Sequence, residues 1–163
     1  MRRRRKNTIR CFTQTSDKSL DACSDYLLPE GSTLADVTVS PLDSLRYTSR
    51  LDPASPHDLV SPKAVSLTEE TARCYHLPAD GTATEVFVDY GAKRAGQGVR
   101  VVTSGGWEDS VLWNPAAKAG GAIGDLHEGG WRDFVCWEPG VIQELRWLGP
   151  GETWQGRQLM TAV

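Results

Sequence analysis

The sequence predicts a mainly β protein, folded as an antiparallel β-sandwich, and three observations carry this prediction. Short apolar runs rich in valine and tryptophan recur from about residue 34 to the end of the chain. Turn residues separate these runs, among them Asp80-Gly81 and the glycine-rich residues 92–98. No pattern predicts a helix longer than a turn or two. Many short strands with regular turn signals are typical of two packed antiparallel sheets.

The first predicted strand, residues 34–39, alternates imperfectly between apolar and polar side chains. Residues 50–62 contain three prolines, which predict a surface loop. Residues 120–130 are rich in glycine and predict a mobile loop. The other strands are expected at residues 64–67, 74–77, 84–90, 99–103, 108–113, 134–137, 141–148 and 153–161.

Charge is divided unevenly between the start of the chain and the rest. Residues 1–20 carry a net charge of +6, whereas residues 21–163 carry −9. Residues 1–30 show neither helical nor strand periodicity, so we expect a basic, disordered tail there and a folded domain over residues 31–163. An acidic folded part disfavours binding to nucleic acid.

Several features bear on location. No apolar stretch approaches the length of a membrane span, which predicts a soluble protein without a membrane partner. The basic start lacks the apolar segment of a secretory signal, and a disordered tail, an organellar transit peptide and a misread gene start all stay open. None of the four cysteines has zinc-ligand spacing, and we expect Cys74 and Cys136 to be reduced core residues. A reducing, cytoplasmic location fits best, with an organelle as the alternative.

Glu138 is the acidic residue that stands out. It directly follows the apolar residues 134–137 and precedes Pro139-Gly140, which we expect to end the strand. Upstream, the apolar residues 111–113 run into Asn114-Pro115, a second proline turn. A carboxylate at the tip of a buried strand is costly to desolvate unless function requires it. The two strand tips together predict the rim of a pocket of sugar size.

Four segments resemble the glucose-6-phosphate 1-epimerase (hexose-6-phosphate mutarotase) family, which belongs to the galactose mutarotase-like β-sandwiches. They are WNP at 113–115, VCWEPG at 135–140, LGPGETW at 148–154 and ETARCY at 70–75. The resemblance covers roughly residues 35–163 and corresponds to the C-terminal half of a typical member. It implies a galactose mutarotase-like sandwich that is apparently incomplete, and an activity that uses no cofactor and no metal.

The resemblance implies an isomerase that interconverts the α and β anomers of glucose 6-phosphate. Glu138 matches the family's general base, which removes the proton of the anomeric hydroxyl so that the ring opens. From the residues alone, Glu138 is equally well a strand-end glutamate paired with an arginine.

Two positions depart from the family. Ser24 stands where members carry the histidine of an H-x-Y-F segment, and a serine hydroxyl is too weak an acid to protonate a ring oxygen. None of His57, His76 and His127 replaces that histidine by position. Ala72 stands where an aspartate contacts sugar hydroxyls. A catalytically dead carbohydrate-binding remnant and a truncated gene model are therefore the alternatives to an active enzyme.

Four further residues are candidates for binding a hexose phosphate or a related sugar, and each has a structural alternative. Arg73 either contacts the phosphate or is an exposed strand arginine. Trp137, like Trp131, either stacks on the sugar or packs in the core. Asn114 either offers its amide to the pocket or caps the turn before Pro115. His127 either swings towards Glu138 or stays in solvent.

Trp113, Trp147 and Trp154 are assigned to packing. Half of a mutarotase sandwich would expose apolar sheet faces and strand edges. We therefore expect the chain to associate with itself through exposed sheet edges.

Overall fold

The strands form two antiparallel sheets. The computed structural model describes residues 7–9, 20–21, 25–52, 54–144 and 146–163. In chain order the strands are Asn7–Ile9 (β1), Leu20–Asp21 (β2), Asp25–Leu27 (β3), Thr38–Ser40 (β4), Arg46–Ser49 (β5), Leu59–Val60 (β6), Val65–Ser66 (β7), Thr71–His76 (β8), Thr84–Asp89 (β9), Gly98–Gly105 (β10), Asp109–Asn114 (β11), Phe134–Val141 (β12) and Gly156–Ala162 (β13). One short helix, Ala116–Gly120 (α1), and 3₁₀ turns at Leu34–Asp36, Ala92–Arg94 and Gly130–Arg132 connect them.

Within the described residues one sheet has six strands and the other seven. The six-stranded sheet has the order β1-β13-β10-β9-β4-β7. The seven-stranded sheet has the order β2-β12-β11-β8-β5-β6, and β3 also pairs with β12. All pairings are antiparallel, so the predicted sandwich class is confirmed.

The core lies between the two sheets and follows from the two-residue period of the strands. In β9, the side chains of Val86 and Val88 are buried between the sheets, whereas that of Glu85, on the other side of the strand, is exposed. The same cluster includes Leu112 and Trp137 from the seven-stranded sheet. Each fully buried large apolar side chain contributes about 1.5–3 kcal/mol relative to an exposed one, so these alternating positions hold the sheets together.

The structure differs from the predicted elements at several places. β5 was not predicted, and β6 lies within the predicted surface loop 50–62. Residues 34–39 form a 3₁₀ turn before the short strand β4 instead of one strand. Residues 141–148 do not form a separate strand: β12 runs on through Pro139 and Gly140 and ends at Val141. Proline's fixed φ is compatible with extended backbone, so Pro139 does not stop the strand as expected.

The division between tail and domain at residue 31 stays a prediction. Where they are described, residues 1–30 include three strands, and Tyr26 of β3 is buried against the core. The rest of the predicted tail lies outside the described residues.

Some expectations concern the surface. Within the described part of the chain, no helix is long and apolar enough to cross a membrane. Among the side chains that the structure describes, the exposed large apolar ones are Leu27, Leu51, Val60, Trp147 and Val163. Self-association through sheet edges stays a prediction.

Candidate functional site

Glu138 lies within β12, opposite Val111 of β11, and not at a strand tip as predicted. Successive residues of a strand point to opposite faces of the sheet. The neighbouring Trp137 is fully buried in the core between the sheets, so Glu138 points away from that core. We call this side of the seven-stranded sheet, turned away from the six-stranded sheet, the outer face.

The strand register identifies the residues that share the outer face with Glu138. Val111 pairs with Glu138 on one side and with Cys74 of β8 on the other, and Cys74 pairs with Thr48 of β5. These four residues form a row across four strands. Glu138, Val111 and Thr48 are partly exposed, whereas Cys74 is buried at the floor of the row.

Two further rows flank this one on the outer face. On one side, Asp109 of β11 lies opposite His76 of β8, and His76 lies opposite Arg46 of β5. On the other side, Trp113 lies between Cys136 and Ala72. The Arg50 backbone N–H donates to the Ala72 carbonyl, which extends this second row to Arg50. Glu138 is therefore flanked by a polar row and by a row that contains an aromatic ring and a cation.

Asp109 fixes the segment that follows β12. Its side chain is buried, and one carboxylate oxygen, Oδ2, accepts the backbone N–H of Ile142 at 2.9 Å and that of Gln143 at 3.0 Å. Because these two N–H groups donate to a side chain and not to a neighbouring strand, the predicted strand at residues 141–148 does not form. The segment instead crosses over the edge of the polar row.

His76 is held by three neighbours on the outer face. Its Nδ1 lies 3.5 Å from Oδ1 of Asp109, and its Nε2 lies 3.3 Å from Oγ1 of Thr48. The Gln143 amide nitrogen lies 3.1 Å from Nδ1 and 3.3 Å from Nε2, so it sits against the imidazole ring. About a third of the His76 side chain is exposed. The arrangement is a histidine–carboxylate pair that a small molecule can reach.

Cys74 packs below these groups. Burial raises the pKa of the Cys74 thiol to about 12, and the Asp109 carboxylate adds to the rise. The Arg50 guanidinium and the Gln143 amide oppose it, which places both side chains near the sulfur. Cys74 and Cys136 are both buried, as expected. A thiol with so high a pKa stays protonated and unreactive at neutral pH.

The structure exchanges the roles expected for two tryptophans. Trp137 was expected to stack on a sugar, but its side chain is fully buried and packs against Tyr75, so a ligand on the outer face does not reach it. Trp113 was assigned to packing, but it is only partly buried and lies on the outer face beside Phe134, with 5.8 Å between ring centroids. Trp113 is the ring that a sugar near Glu138 can contact.

Arg73 also lies on the opposite side of the sheet from Glu138. It is in register with Leu112, which faces the core, and its guanidinium lies 4.7 Å from the ring centre of Tyr47. A phosphate contact by Arg73 to a sugar bound at Glu138 would have to pass through the sheet. Arg50, which sequence reasoning did not single out, is the guanidinium beside the site.

Asn114 and His127 are placed by local contacts. Asn114 is fully buried; its amide donates to the carbonyls of Trp131 and Phe134, and its oxygen accepts the N–H of Ala116. This is the capping alternative, in which the side chain fixes the turn after β11. His127 is exposed in the loop, with Nε2 3.1 Å from Asp133.

The remaining candidates do not add to the site. The ring of Trp131 packs against the core and carries the Arg132 guanidinium at 4.3 Å. Ser24, which stands in the position of the family histidine, lies outside the described residues. His57 lies exposed in the loop before β6. No group of three or more His, Cys, Asp or Glu side chains in the described part of the chain is arranged to hold a metal ion.

Comparison with known proteins finds a solved structure of similar fold. No protein-family model matches the sequence, and no curated protein matches it. The chain is similar to the crystal structure of a proposed mutarotase, YeaD, from Salmonella typhimurium, with a TM-score of 0.72 and 18% sequence identity. The chain shares the β-sandwich fold of that structure.

The similarity covers 93% of this chain and 46% of the Salmonella protein. The chain therefore spans about half the length of that structure. At this level of identity the similarity establishes the architecture, and the chemistry has to be argued from the outer face of this chain.

Proposed function

We propose that the chain is a mutarotase that interconverts the α and β anomers of a hexose 6-phosphate, with Glu138 as the general base. The observation that carries the proposal is the position of Glu138 on the outer face. A partly exposed carboxylate stands there between a polar row, which includes Asp109 and His76, and a row that includes Trp113. Polar groups beside an aromatic ring suit a sugar, which has hydroxyls at its edge and C–H groups on its faces.

In this mechanism the Glu138 carboxylate takes the proton from the anomeric hydroxyl. The electron pair of that O–H bond forms the C1=O double bond of the aldehyde while the bond from C1 to the ring oxygen breaks, and the ring oxygen takes a proton from solvent to become the C5 hydroxyl. Rotation about C1–C2 presents the other face of the carbonyl, and the reverse steps close the ring to the other anomer. Glu138 thus ends each cycle in its starting state, as general acid–base catalysis requires.

The phosphate is proposed to bind at Arg50. Guanidinium groups bind phosphate oxygens in a bidentate manner, and Arg50 lies at the end of the row that contains Trp113. The other arginine near the site, Arg46, is bonded to Asp58 through its Nε at 2.6 Å. Arg50 is therefore the better placed of the two for an anionic substrate.

The experiment is to measure exchange between the α and β anomers of glucose 6-phosphate by NMR, with the parent chain and with Glu138→Gln. Removing a general base is expected to lower the catalysed rate by about 10²–10⁴-fold. Glu128→Gln, which changes an exposed loop glutamate in the same way, is the matched control and should leave the rate unchanged. Exchange at the spontaneous rate with the parent chain would contradict the proposal.

A second candidate function is sugar binding without catalysis. It is favoured by Ala72, which lies on the outer face at the position where the resemblance places a sugar-binding aspartate. In that case glucose 6-phosphate would perturb Trp113 fluorescence or its NMR signals without any acceleration of exchange. Glu138→Gln would then have little effect on either measurement.

A further inference from the structure

The outer face continues past Trp113 into an exposed apolar strip, and we infer that this strip is a second sugar site. It takes a pyranose ring that is linked to C4 of the sugar bound at Glu138. The substrate class of the outer face therefore includes the reducing ends of 1→4-linked saccharides as well as single hexoses. The inference rests on the proposed function for the direction of the first sugar, because it takes the anomeric carbon to lie at Glu138.

The apolar strip consists of Trp113, Phe134 and Leu27. The ring centres of Trp113 and Phe134 lie 5.8 Å apart, and Leu27 of β3 is in register with Phe134 of β12. Tyr26, the neighbour of Leu27, is buried in the core, so Leu27 points to the outer face. Leu27 is 73% exposed, and the two aromatic side chains are partly exposed. An exposed apolar surface beside polar groups is typical of a ligand site.

The course of β12 sets the direction in which the strip extends. Glu138, Cys136 and Phe134 follow each other at two-residue spacing, so they share the outer face, and Phe134 lies roughly 13 Å from Glu138 along the strand. Cys136 is in register with Trp113, which places the Trp113 ring in the row between them. In a pyranose, C4 lies across the ring from C1. A sugar with C1 at Glu138 and its ring over Trp113 therefore directs its C4 hydroxyl towards Phe134.

The phosphate position proposed above does not compete with the strip. Arg50 extends the row of Trp113 on the β5 side, through Ala72 of β8. Phe134 and Leu27 lie instead on β12 and β3, one row further along the strands. A hexose has separate attachment points at C4 and C6. One sugar can therefore carry a phosphate towards Arg50 and a second ring over the strip.

The chemistry and size of the strip favour a sugar ring over a protein partner. The C–H face of a pyranose packs on an aromatic ring, and its hydroxyls need polar partners at the rim. Asp133 directly precedes Phe134; its side chain is 58% exposed, and its carboxylate lies 3.1 Å from Nε2 of His127. Three side chains offer less surface than the roughly 800 Å² that each partner of a stable protein interface buries. The strip is therefore large enough for one further ring and too small for a stable dimer.

The test measures the binding of three uncharged sugars by NMR titration. Maltose carries its second ring at C4 of the reducing glucose, isomaltose carries it at C6, and glucose has none. For the parent chain we expect maltose to bind about tenfold more tightly than glucose, because the second ring gains the aromatic contact. Isomaltose should bind like glucose, since its second ring is directed away from Phe134.

Three full-length variants test the residues of the strip. Phe134→Ala should remove the advantage of maltose with little effect on glucose, because only the second ring contacts Phe134. Leu27→Ser should weaken maltose binding by about threefold, since it removes part of the apolar contact. The control is Val60→Ser, which changes an exposed apolar residue of β6 at the far edge of the same sheet. Thermal melts show whether each variant is folded.

Anomer exchange of glucose 6-phosphate, measured on the same samples, separates the two proposals. Equal affinity for maltose and glucose overturns the second sugar site, whatever the exchange rate. Selective binding of maltose that is lost in Phe134→Ala, without acceleration of exchange by the parent, overturns the mutarotase function and supports the strip as part of a binding site. Isomaltose binding as tightly as maltose overturns the direction inferred for the strip.

Two further outcomes guard against a misleading variant. If Phe134→Ala does not fold, Leu27→Ser decides, and unchanged maltose affinity in that variant overturns the inference. Leu27 is largely exposed, so this substitution removes no core contact. A parent chain that is dimeric in sedimentation, and a Leu27→Ser variant that is monomeric, would assign the strip to a second copy of the chain and overturn the inference as well.

Discussion

Replacing Asp109 with alanine tests how the outer face is assembled. The carboxylate accepts two backbone N–H groups at 2.9 and 3.0 Å from a nearly inaccessible position. A hydrogen bond to a charged group contributes about 1.5–3 kcal/mol, so two such bonds contribute about 3–6 kcal/mol. Because Gln143 is exposed, its released N–H can reach water, and we expect the lower end, a loss of about 3 kcal/mol. Asp109→Asn keeps an acceptor oxygen without the charge and should lose only about 1–2 kcal/mol.

Urea unfolding followed by tryptophan fluorescence measures this difference, and the midpoint should fall while the slope stays constant. The matched control is Glu108→Ala, because Glu108 directly precedes Asp109. Glu108 pairs with Arg146 at the surface, and both side chains are more than a third exposed. Surface ion pairs contribute about 0–1 kcal/mol, so the control should stay close to the parent. A loss below about 0.5 kcal/mol for Asp109→Ala would refute the reasoning, since one hydrogen bond alone exceeds that value.

Two further predictions concern Arg50 and Cys74. If Arg50 binds the phosphate, Arg50→Gln raises KM for glucose 6-phosphate but not for glucose in the exchange assay, and equal changes for both sugars would contradict this. The pKa of the Cys74 thiol is raised from 9.0 to about 12, so above pH 9.0 the unfolded chain releases a proton that the folded chain retains. The free energy of unfolding therefore falls as pH rises from 9.0 to about 12, and urea titrations at rising pH should show a shallower fall for Cys74→Ala. The same slope in parent and variant would argue against a buried, protonated thiol.

Much of the fold could be predicted from the sequence. Alternation at residues 84–90 and 99–103, with turn residues between, was sufficient to predict β9 and β10 of the six-stranded sheet, because a half-buried strand has an apolar side and a polar side. Glu138 stood out for the same local reason, as a carboxylate directly after an apolar run. The failures at Pro139 and at residues 141–148 concern where a strand ends, which local propensity determines only weakly.

Two expectations about the site could have been corrected without a structure. Trp137 and Glu138 are adjacent in one strand, so they must point to opposite faces, and only one of them can line a given pocket. The same holds for Arg73 and Ala72: if the position of Ala72 contacts a sugar, Arg73 next to it faces the core. The alternation that predicted the strands thus also excluded Trp137 and Arg73 from the site.

The sequence by itself determined the sandwich class, the alternation of strands such as β9 and β10, and Glu138 as a carboxylate beside an apolar run, because these depend on neighbouring residues. Only the tertiary structure decided that His76 and Asp109 share the face of Glu138, since their meeting depends on the register of β8, β11 and β12. Register is fixed by pairing between segments far apart in the chain, and a shift of one residue would move every side chain to the other face. The segment after Val141 depends on the same pairing, because the buried carboxylate that binds its N–H groups comes from another strand.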